Sequence, residues 1–425
     1  MTLDSAQSAQ FIKDGVMYVP PPVPSKYDII PIHASDMGAF LRCRRYWDWS
    51  SPTRHNLRRK VAIYGINFPL WFGTGIHYAL QHYYDPMLQR DPVESFRSWY
   101  KLQWEGGVIT DYDLEITSDL RPTKLEGYVE GWEDYEGNLY EVKGLRDLHP
   151  DPDPEEFETH HQLGLGMMEF YRDYAKREDD FQIVAAESMF SIPLGFEAID
   201  RREESPNYGK KLEVHNRGKR DAIWYKPALE TYGIIDHKSA ADIGEDYFNK
   251  LENDPQCSNY IWASVREAEI NDLPWKNVEE VLYNVLRKVA PKPPTITSRG
   301  VPSIDRTKEG ATAEMFETLV KENVDIAAWY EGNEKAQAYY EYLLTEGDAM
   351  FVKRDYATRN QHEIQATGER IKMVAQDMLE AKVYSHPSGD WLCTKCQFRA
   401  PCLGADDGSD YQAMLDDGYE LNRDR

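Results

Sequence analysis

The residues with the plainest chemical potential are Asp236-His-Lys238, at the end of the apolar run Tyr232-Gly-Ile-Ile. Successive side chains of a strand point to opposite faces, so the Asp236 carboxylate and the Lys238 ammonium share one side. A ligand for a divalent cation thus stands beside a cation that could orient a water or stabilise charge developing on a phosphate. An acidic residue two before a lysine occurs three times, at Glu141-Val-Lys143, Asp236-His-Lys238 and Glu380-Ala-Lys382, so the pattern alone selects nothing. Glu380 lies in a polar helical stretch, and Glu141 follows the turn-like Glu136-Gly-Asn. Only Asp236 has a second carboxylate, Asp221, on a preceding apolar strand in a hairpin-like arrangement. Two carboxylates on neighbouring strands can converge on one cation. The same two residues would also serve as ordinary strand ends.

Cysteine offers a second constellation, Cys393-x-x-Cys396-x5-Cys402, with Cys43 or Cys257 as the candidate fourth ligand. Four thiolates suit either tetrahedral zinc or a four-iron four-sulfur cluster. One ligand plus three, rather than two close pairs, favours iron. Cys257 reads as a small buried residue. Five cysteines among 425 residues are too few and too odd in number for a disulfide scaffold, which favours a reducing compartment.

These residues need elements to hold them. Phe181 to Pro193, Gly218 to Tyr225 and Glu230 to Lys238 read as three consecutive strands, a meander. A helix with Tyr247, Phe248 and Leu251 follows, then one over Gln256 to Arg266. Upstream, Ser35 or Asp36 can cap a helix carrying Phe40, Leu41, Cys43, Tyr46 and Trp47. Trp71-Phe-Gly-Thr-Gly-Ile-His77 reads as the glycine-rich start of another, and a third is expected from His160 to Arg177. The class is α/β, helices flanking a sheet. The chain divides into an extended arm (1–34) running through Pro20-Pro21-Pro22-Val23-Pro24, a helical region (35–110), an acidic insertion and helix (111–180) and a core (181–290). A polar connection (291–311), a second helical region (312–385), the cysteine cluster (386–404) and a loose acidic tail (405–425) complete it.

Composition bounds the function. Hydrophobic residues at 41% and aromatic residues at 12%, with 11 Trp, exclude a disordered chain. No apolar run approaches a membrane span and the N-terminus has no signal-like pattern, so a cytoplasmic protein is expected. The net charge of −24 argues against polyanion binding over the whole surface. Charge is unevenly spread, however: Arg42, Arg44, Arg45, Arg54, Arg58, Arg59 and Lys60 face only Asp48, and Lys210, Lys211, Arg217, Lys219 and Arg220 form a second cluster. Each is a candidate nucleic-acid groove or simply a solvated face.

In order along the chain stand His77, Gly218-Lys-Arg-Asp221, Asp236-His-Lys238-Ser239 and Gln256-Cys-Ser-Asn-Tyr260. This series resembles the RecB-like branch of the PD-(D/E)XK nuclease superfamily. The resemblance implies a restriction-endonuclease-like core with a central mixed β-sheet flanked by helices. It implies that His77, Asp221 and Asp236 ligate Mg2+ or Mn2+, with the His237 carbonyl as a further ligand. Lys238 would be the catalytic lysine, with Gln256 and Tyr260 contacting nucleic acid or bracing the site, and Glu187 matches a carboxylate often found on the first strand. Cys43, before Arg44-Arg45-Tyr-Trp, resembles the N-terminal cysteine of the iron–sulfur members, among them CRISPR-associated exonucleases and AddB-type subunits. With Cys393, Cys396 and Cys402 it would staple the two ends of the chain around a 4Fe-4S cluster, zinc being the alternative. The implied activity is a metal-dependent DNA exonuclease in recombination, repair or end processing, taking single-stranded or free ends past Arg44, Arg45, Tyr46 and Trp47. A catalytically quiet DNA-binding scaffold on the same fold is the competing reading. No helicase motif such as Gly-x-x-x-x-Gly-Lys-Ser/Thr is present, so the chain reads as a stand-alone member.

Overall fold

The expected meander is the centre of the fold. In a computed structural model, which describes residues 11–13, 16–18, 23–86, 88–110, 122–125, 138–202, 205–306, 310–381 and 391–422, six strands form a mixed sheet. They are β1 (Ile30–Ile32), β2 (Gln182–Ile199), β3 (Lys211–Lys226), β4 (Thr231–Ala240), β5 (Glu280–Arg287) and β6 (Val352–Thr358). β2, β3 and β4 pair antiparallel in sequence order, and a four-residue turn joins β3 to β4. β5 lies parallel to β4, which requires a long crossover, and β6 returns antiparallel to β5. β3 is long enough to pair with β4 through Ala222–Lys226 and with β1 through Val214–Asn216, while β2 runs along nearly all of it.

Helices cover the sheet. They include α1 (Ala34–Arg42), α2 (Arg44–Ser50), α3 (Phe68–Tyr84), α4 (Pro92–Glu105), α5 (Pro154–Glu178), α6 (Pro255–Asn271), α7 (Gln361–Glu380) and α8 (Arg399–Asp407). One core joins Phe40 and Trp47 to Phe190, Ile234, Ile261 and Ile371. A second joins Trp71, Phe72, Trp99 and Tyr171 of α3, α4 and α5 to Leu286 and Val352 of the sheet. α6 is the crossover between β4 and β5. Among the described residues no helix is long and apolar enough to cross a membrane.

Several boundaries differ from expectation, each for a physical reason. The arm is not wholly extended chain outside the core: Ile30–Ile32 is a buried strand, and Pro31 disguises it because proline is tolerated only where a ladder bond is not needed. α1 is not capped by Ser35 or Asp36; its N-cap is His33, whose ring meets Asp36 Oδ2 at 3.0 Å. Gly73 and Gly75 lie inside α3 rather than at its start, which is Phe68 with Pro69 following. α5 begins at Pro154, with Asp153 accepting from the Glu155 and Glu156 amides. The second helical region is interrupted by β6, a half-polar edge strand whose pattern hides it. Helices Ala313–Glu322, Val324–Glu331 and Glu334–Thr345 gather round their own small core of Phe316, Tyr339 and Leu343. Parts of the expected arm (1–10, 14–15, 19–22), of the acidic insertion (111–121, 126–137), of the cysteine region (382–390) and of the tail (423–425) lie outside the described residues.

The largest correction concerns the tail. It is folded: α8 leads to helix Tyr411–Gly418 and strand Tyr419–Leu421, which pairs antiparallel with Leu57–Arg59. The arginine-rich segment meets it with complementary charge. Arg45 pairs with Asp406 at 2.8 Å and Arg58 with Glu420 at 3.1 Å, and Lys60 Nζ donates to the Asp416 and Asp417 carbonyls.

Candidate active site

Glu187, Asp221 and Asp236 stand side by side on three adjacent strands. β2 and β3 pair at Ala186–Ala222 and Ser188–Arg220, which sets Glu187 opposite Asp221. The β3–β4 ladder ends at Ala222–Ile235, leaving Asp236 at the next step beside Asp221. There Asp221 Oδ2 accepts the His237 main-chain N–H at 2.7 Å. Like charges directly opposite one another destabilise a sheet, so such a row needs cations. Lys219 Nζ lies 2.6 Å from Glu187 Oε2, His77 Nδ1 3.5 Å from Asp221 Oδ2, and Lys238 Nζ 2.7 Å from Asp236 Oδ2. Glu187 itself holds φ at +46°, a left-handed conformation that costs a non-glycine residue on the order of 1–3 kcal/mol and tends to occur where function demands it.

α3 delivers His77 by lying close to its neighbours. A Cβ on Gly75 would meet the Trp99 ring at 2.4 Å, and one on Gly73 would meet Ser239 Oγ of β4 at 3.3 Å. Glycine inside a helix costs about 0.5–1 kcal/mol relative to alanine, and here it permits that approach. His77 faces a cleft of about 470 Å³ that also exposes Leu70, Glu187, Lys219, Asp221 and Lys238.

α6 fixes the lysine. Asp254 caps this helix by accepting from the Gln256 amide at 2.8 Å, and Pro255 presets its first turn. Lys238 Nζ then donates to Gln256 Oε1 at 3.0 Å, and Gln256 Nε2 donates to Tyr260 OH at 2.6 Å. The Gln-x-x-x-Tyr spacing places both side chains on one face of the helix, where together they brace the ammonium.

The His237 ring has a separate environment. It stacks on Tyr84 with centroids 5.3 Å apart, and its Nδ1 lies 2.8 Å from Asn284 Nδ2. Asn284 Oδ1 accepts from Arg354 Nε at 2.8 Å, so the amide nitrogen is the donor and His237 Nδ1 accepts. Arg354 pairs with Asp179, and Tyr84, Tyr171 and Asn284 close a buried polar network. Burial pushes His237 down to about 3, so it stays neutral.

The carboxylates differ in proton affinity. Burial raises Glu187 to about 7 and Asp236 to about 6, against the opposing pull of Lys219 and Lys238. Burial works the same way on Asp221 but is overcome by the charge and hydrogen bond of His77, which hold it well below the usual range. Burial of Lys238 is outweighed by Asp236, which lifts the ammonium to about 12. His77, Glu187 and Asp221 each offer a ligand atom, all within 4.8 Å of one another. Asp236 Oδ2 is buried beside them, with the Lys238 ammonium as its neighbour at 2.7 Å. Carboxylate oxygens plus one imidazole suit a hard or borderline divalent cation such as Mg2+ or Mn2+.

The structure thus brings His77, Asp221, Asp236, Lys238, Gln256 and Tyr260 together. Glu187 joins them as a metal-ligand candidate, Lys219 stands in the sequence only as one of a basic cluster, and Asn284 and Arg354 carry no local motif that marks them. Arg45 lies elsewhere, with Nη1 on Cys402 O, Cys402 Sγ and Asp406, and exposed Arg44 sits over the Phe40 ring. Trp47 is 1% exposed and Tyr46 packs on Phe398, so Trp47 cannot line a channel as expected. The second basic cluster is no uniform stripe either, since Arg220 is buried on Glu267 while Lys219 faces Glu187. Cys43 caps α2 by accepting from the Tyr46 amide, and Cys393, Cys396 and Cys402 lie in and before α8.

No curated protein matches the chain. The family model of the PD-(D/E)XK nuclease superfamily matches residues 34–403, a span that begins with α1, contains the whole carboxylate row and its lysine, and ends in α8. A match over most of the chain, on a mixed sheet whose adjacent strands present Asp221 and Asp236-x-Lys238, shows that this chain belongs to the PD-(D/E)XK nuclease superfamily.

Proposed function

We propose that the protein is a metal-dependent DNA exonuclease that hydrolyses phosphodiester bonds, preferring single-stranded or free ends, in recombination, repair or end processing. The observation that carries this reading is the in-register row Glu187–Asp221–Asp236 with Lys238 braced beside it. Bound there by His77, Glu187, Asp221, Asp236 and the His237 carbonyl, Mg2+ or Mn2+ would polarise the scissile phosphate and lower the pKa of water. Lys238, held by Gln256, aims its charge at the attacking water or the developing negative charge. A quiet scaffold has no use for a partly exposed imidazole, a row of three carboxylates and a braced lysine side by side. The preference for single-stranded or free ends is carried by the family resemblance, and the cleft of about 470 Å³ beside Glu187 and Asp221 is where such an end would enter.

The same reading gives Cys43, Cys393, Cys396 and Cys402 a structural 4Fe-4S cluster, with no open position for substrate. Burial raises the Cys396 thiol, and the charges of Cys43, Cys402 and Cys393 push it the same way.

Labelled linear and circular single strands and duplexes, incubated with Mg2+, Mn2+ or chelator, test the proposal. Linear single strands should be degraded with either metal and spared by chelator. Circles cut as fast as linear strands would remove the exonuclease part, and undiminished cleavage in chelator would remove the metal.

A further inference from the structure

Arg220 immediately precedes Asp221, and its side chain turns away from the cleft into the packing between β3 and α6. It is 1% exposed, yet all three guanidinium nitrogens are engaged. Nε donates to Ser188 Oγ at 3.2 Å, Nη1 to Ser264 Oγ at 2.8 Å and Nη2 to Glu267 Oε2 at 2.5 Å. Ser264 Oγ in turn donates to the Tyr260 carbonyl at 2.8 Å. One side chain therefore touches the neighbour of Glu187, carries Asp221 as its own neighbour, and grips the helix whose Gln256 and Tyr260 hold Lys238. A buried ion pair is seldom worth more than a hydrophobic pair of similar volume, so stability alone does not account for it, whereas a fully satisfied network does specify geometry. The geometry specified here includes Glu187 at φ +46°, a strained conformation that persists only if its surroundings over-determine it.

We propose that Arg220 is a positioning residue for the cation site: through Ser188 it locks Glu187 beside Asp221, and through Ser264 and Glu267 it keeps that pair in register with the helix that braces Lys238. This rests on the metal-dependent reading of the cleft. Arg220 reaches the ligands one residue removed, through Ser188 next to Glu187 and through its own main chain next to Asp221, and losing an outer contact that orients a metal ligand typically weakens metal affinity or activity about 10- to 100-fold.

The test is Mn2+ titration of the full chain by calorimetry without DNA, alongside cleavage as a function of Mn2+ concentration, for wild type, Arg220→Lys and Ser188→Ala. Both variants should bind Mn2+ at least about 10-fold more weakly, and raising Mn2+ should restore their kcat. A merely structural role would lower the melting temperature and leave the Mn2+ midpoint where it was. Affinities within twofold of wild type, or lost activity that Mn2+ does not restore, would overturn the inference. Should Arg220→Lys fail to fold, Ser188→Ala, which removes a single hydroxyl, decides alone. A wild-type chain that binds no Mn2+ would overturn the site reading and this inference with it.

Discussion

Glu187 and Asp236 are both held by burial above the ordinary carboxylate range, at about 7 and about 6. In the folded chain they therefore keep protons that the unfolded chain has already released. Without metal, the fold binds more protons than the unfolded chain as pH rises from about 4 through about 7, and its stability falls over that window. A divalent cation competes for the same oxygens and must displace those protons. The gain in melting temperature on adding Mn2+ should accordingly be larger at pH 8 than at pH 5.5, as thermal unfolding would measure. An equal gain at both values would show that these carboxylates are not the ligands. At this scale Asp236 and Lys238 are candidates because strand geometry puts them on one side, and Asp221 because it stands on the preceding apolar strand, while the resemblance is what separates this pair from Glu141-Val-Lys143 and Glu380-Ala-Lys382. The companions on other elements are not legible: Asn284 and Arg354 reach His237 only through folding, and nothing local marks Arg220 as a buried strut. Glu187 stood out only by resemblance, since a left-handed φ within a strand has no signature in Ala-Ala-Glu-Ser.

Element by element, reading succeeded where the period was strong and failed at edges. β2, β3 and β4 stand out through their apolar runs and α6 is expected over Gln256 to Arg266, whereas β1 hides behind Pro31 and β6 behind its polar face. The tail looked loose because it is acidic. Its charge is answered by Arg45, Arg58 and Lys60, some 350 residues earlier, and a complement that distant is invisible to any local window. This matters for the cysteines, because the ladder between Leu57–Arg59 and Tyr419–Leu421 already joins the ends of the chain. A cluster would reinforce that joint rather than create it, closing a loop whose entropy cost grows only logarithmically with length. Cys396→Ser should abolish iron and acid-labile sulfide in anaerobically purified protein and lower the melting temperature by several degrees. Its soluble fraction should still cleave DNA. Stoichiometric zinc without sulfide would replace the cluster, and unchanged metal in Cys43→Ser would remove the N-terminal helices from it.

As a whole, the molecule sets an acidic chain, net −24, to work on a polyanion. Its general field repels DNA, so binding must come from local charge: the lysines and histidine of the cleft and the cation that the carboxylate row would hold. On the proposed reading this row and Lys238 form one catalytic unit, in which the carboxylates hold the metal and the lysine acts on the reacting atoms. Single-turnover cleavage of a linear labelled single strand in Mn2+, compared among wild type, Asp221→Ala, Asp236→Ala and Lys238→Ala with DNA affinity measured in Ca2+, tests it most directly. Each aspartate variant should fold yet cleave at least about 1,000-fold more slowly, and Lys238→Ala should lose about 100-fold or more in rate while binding DNA in Ca2+ as wild type does. Full activity in either aspartate variant would contradict the account.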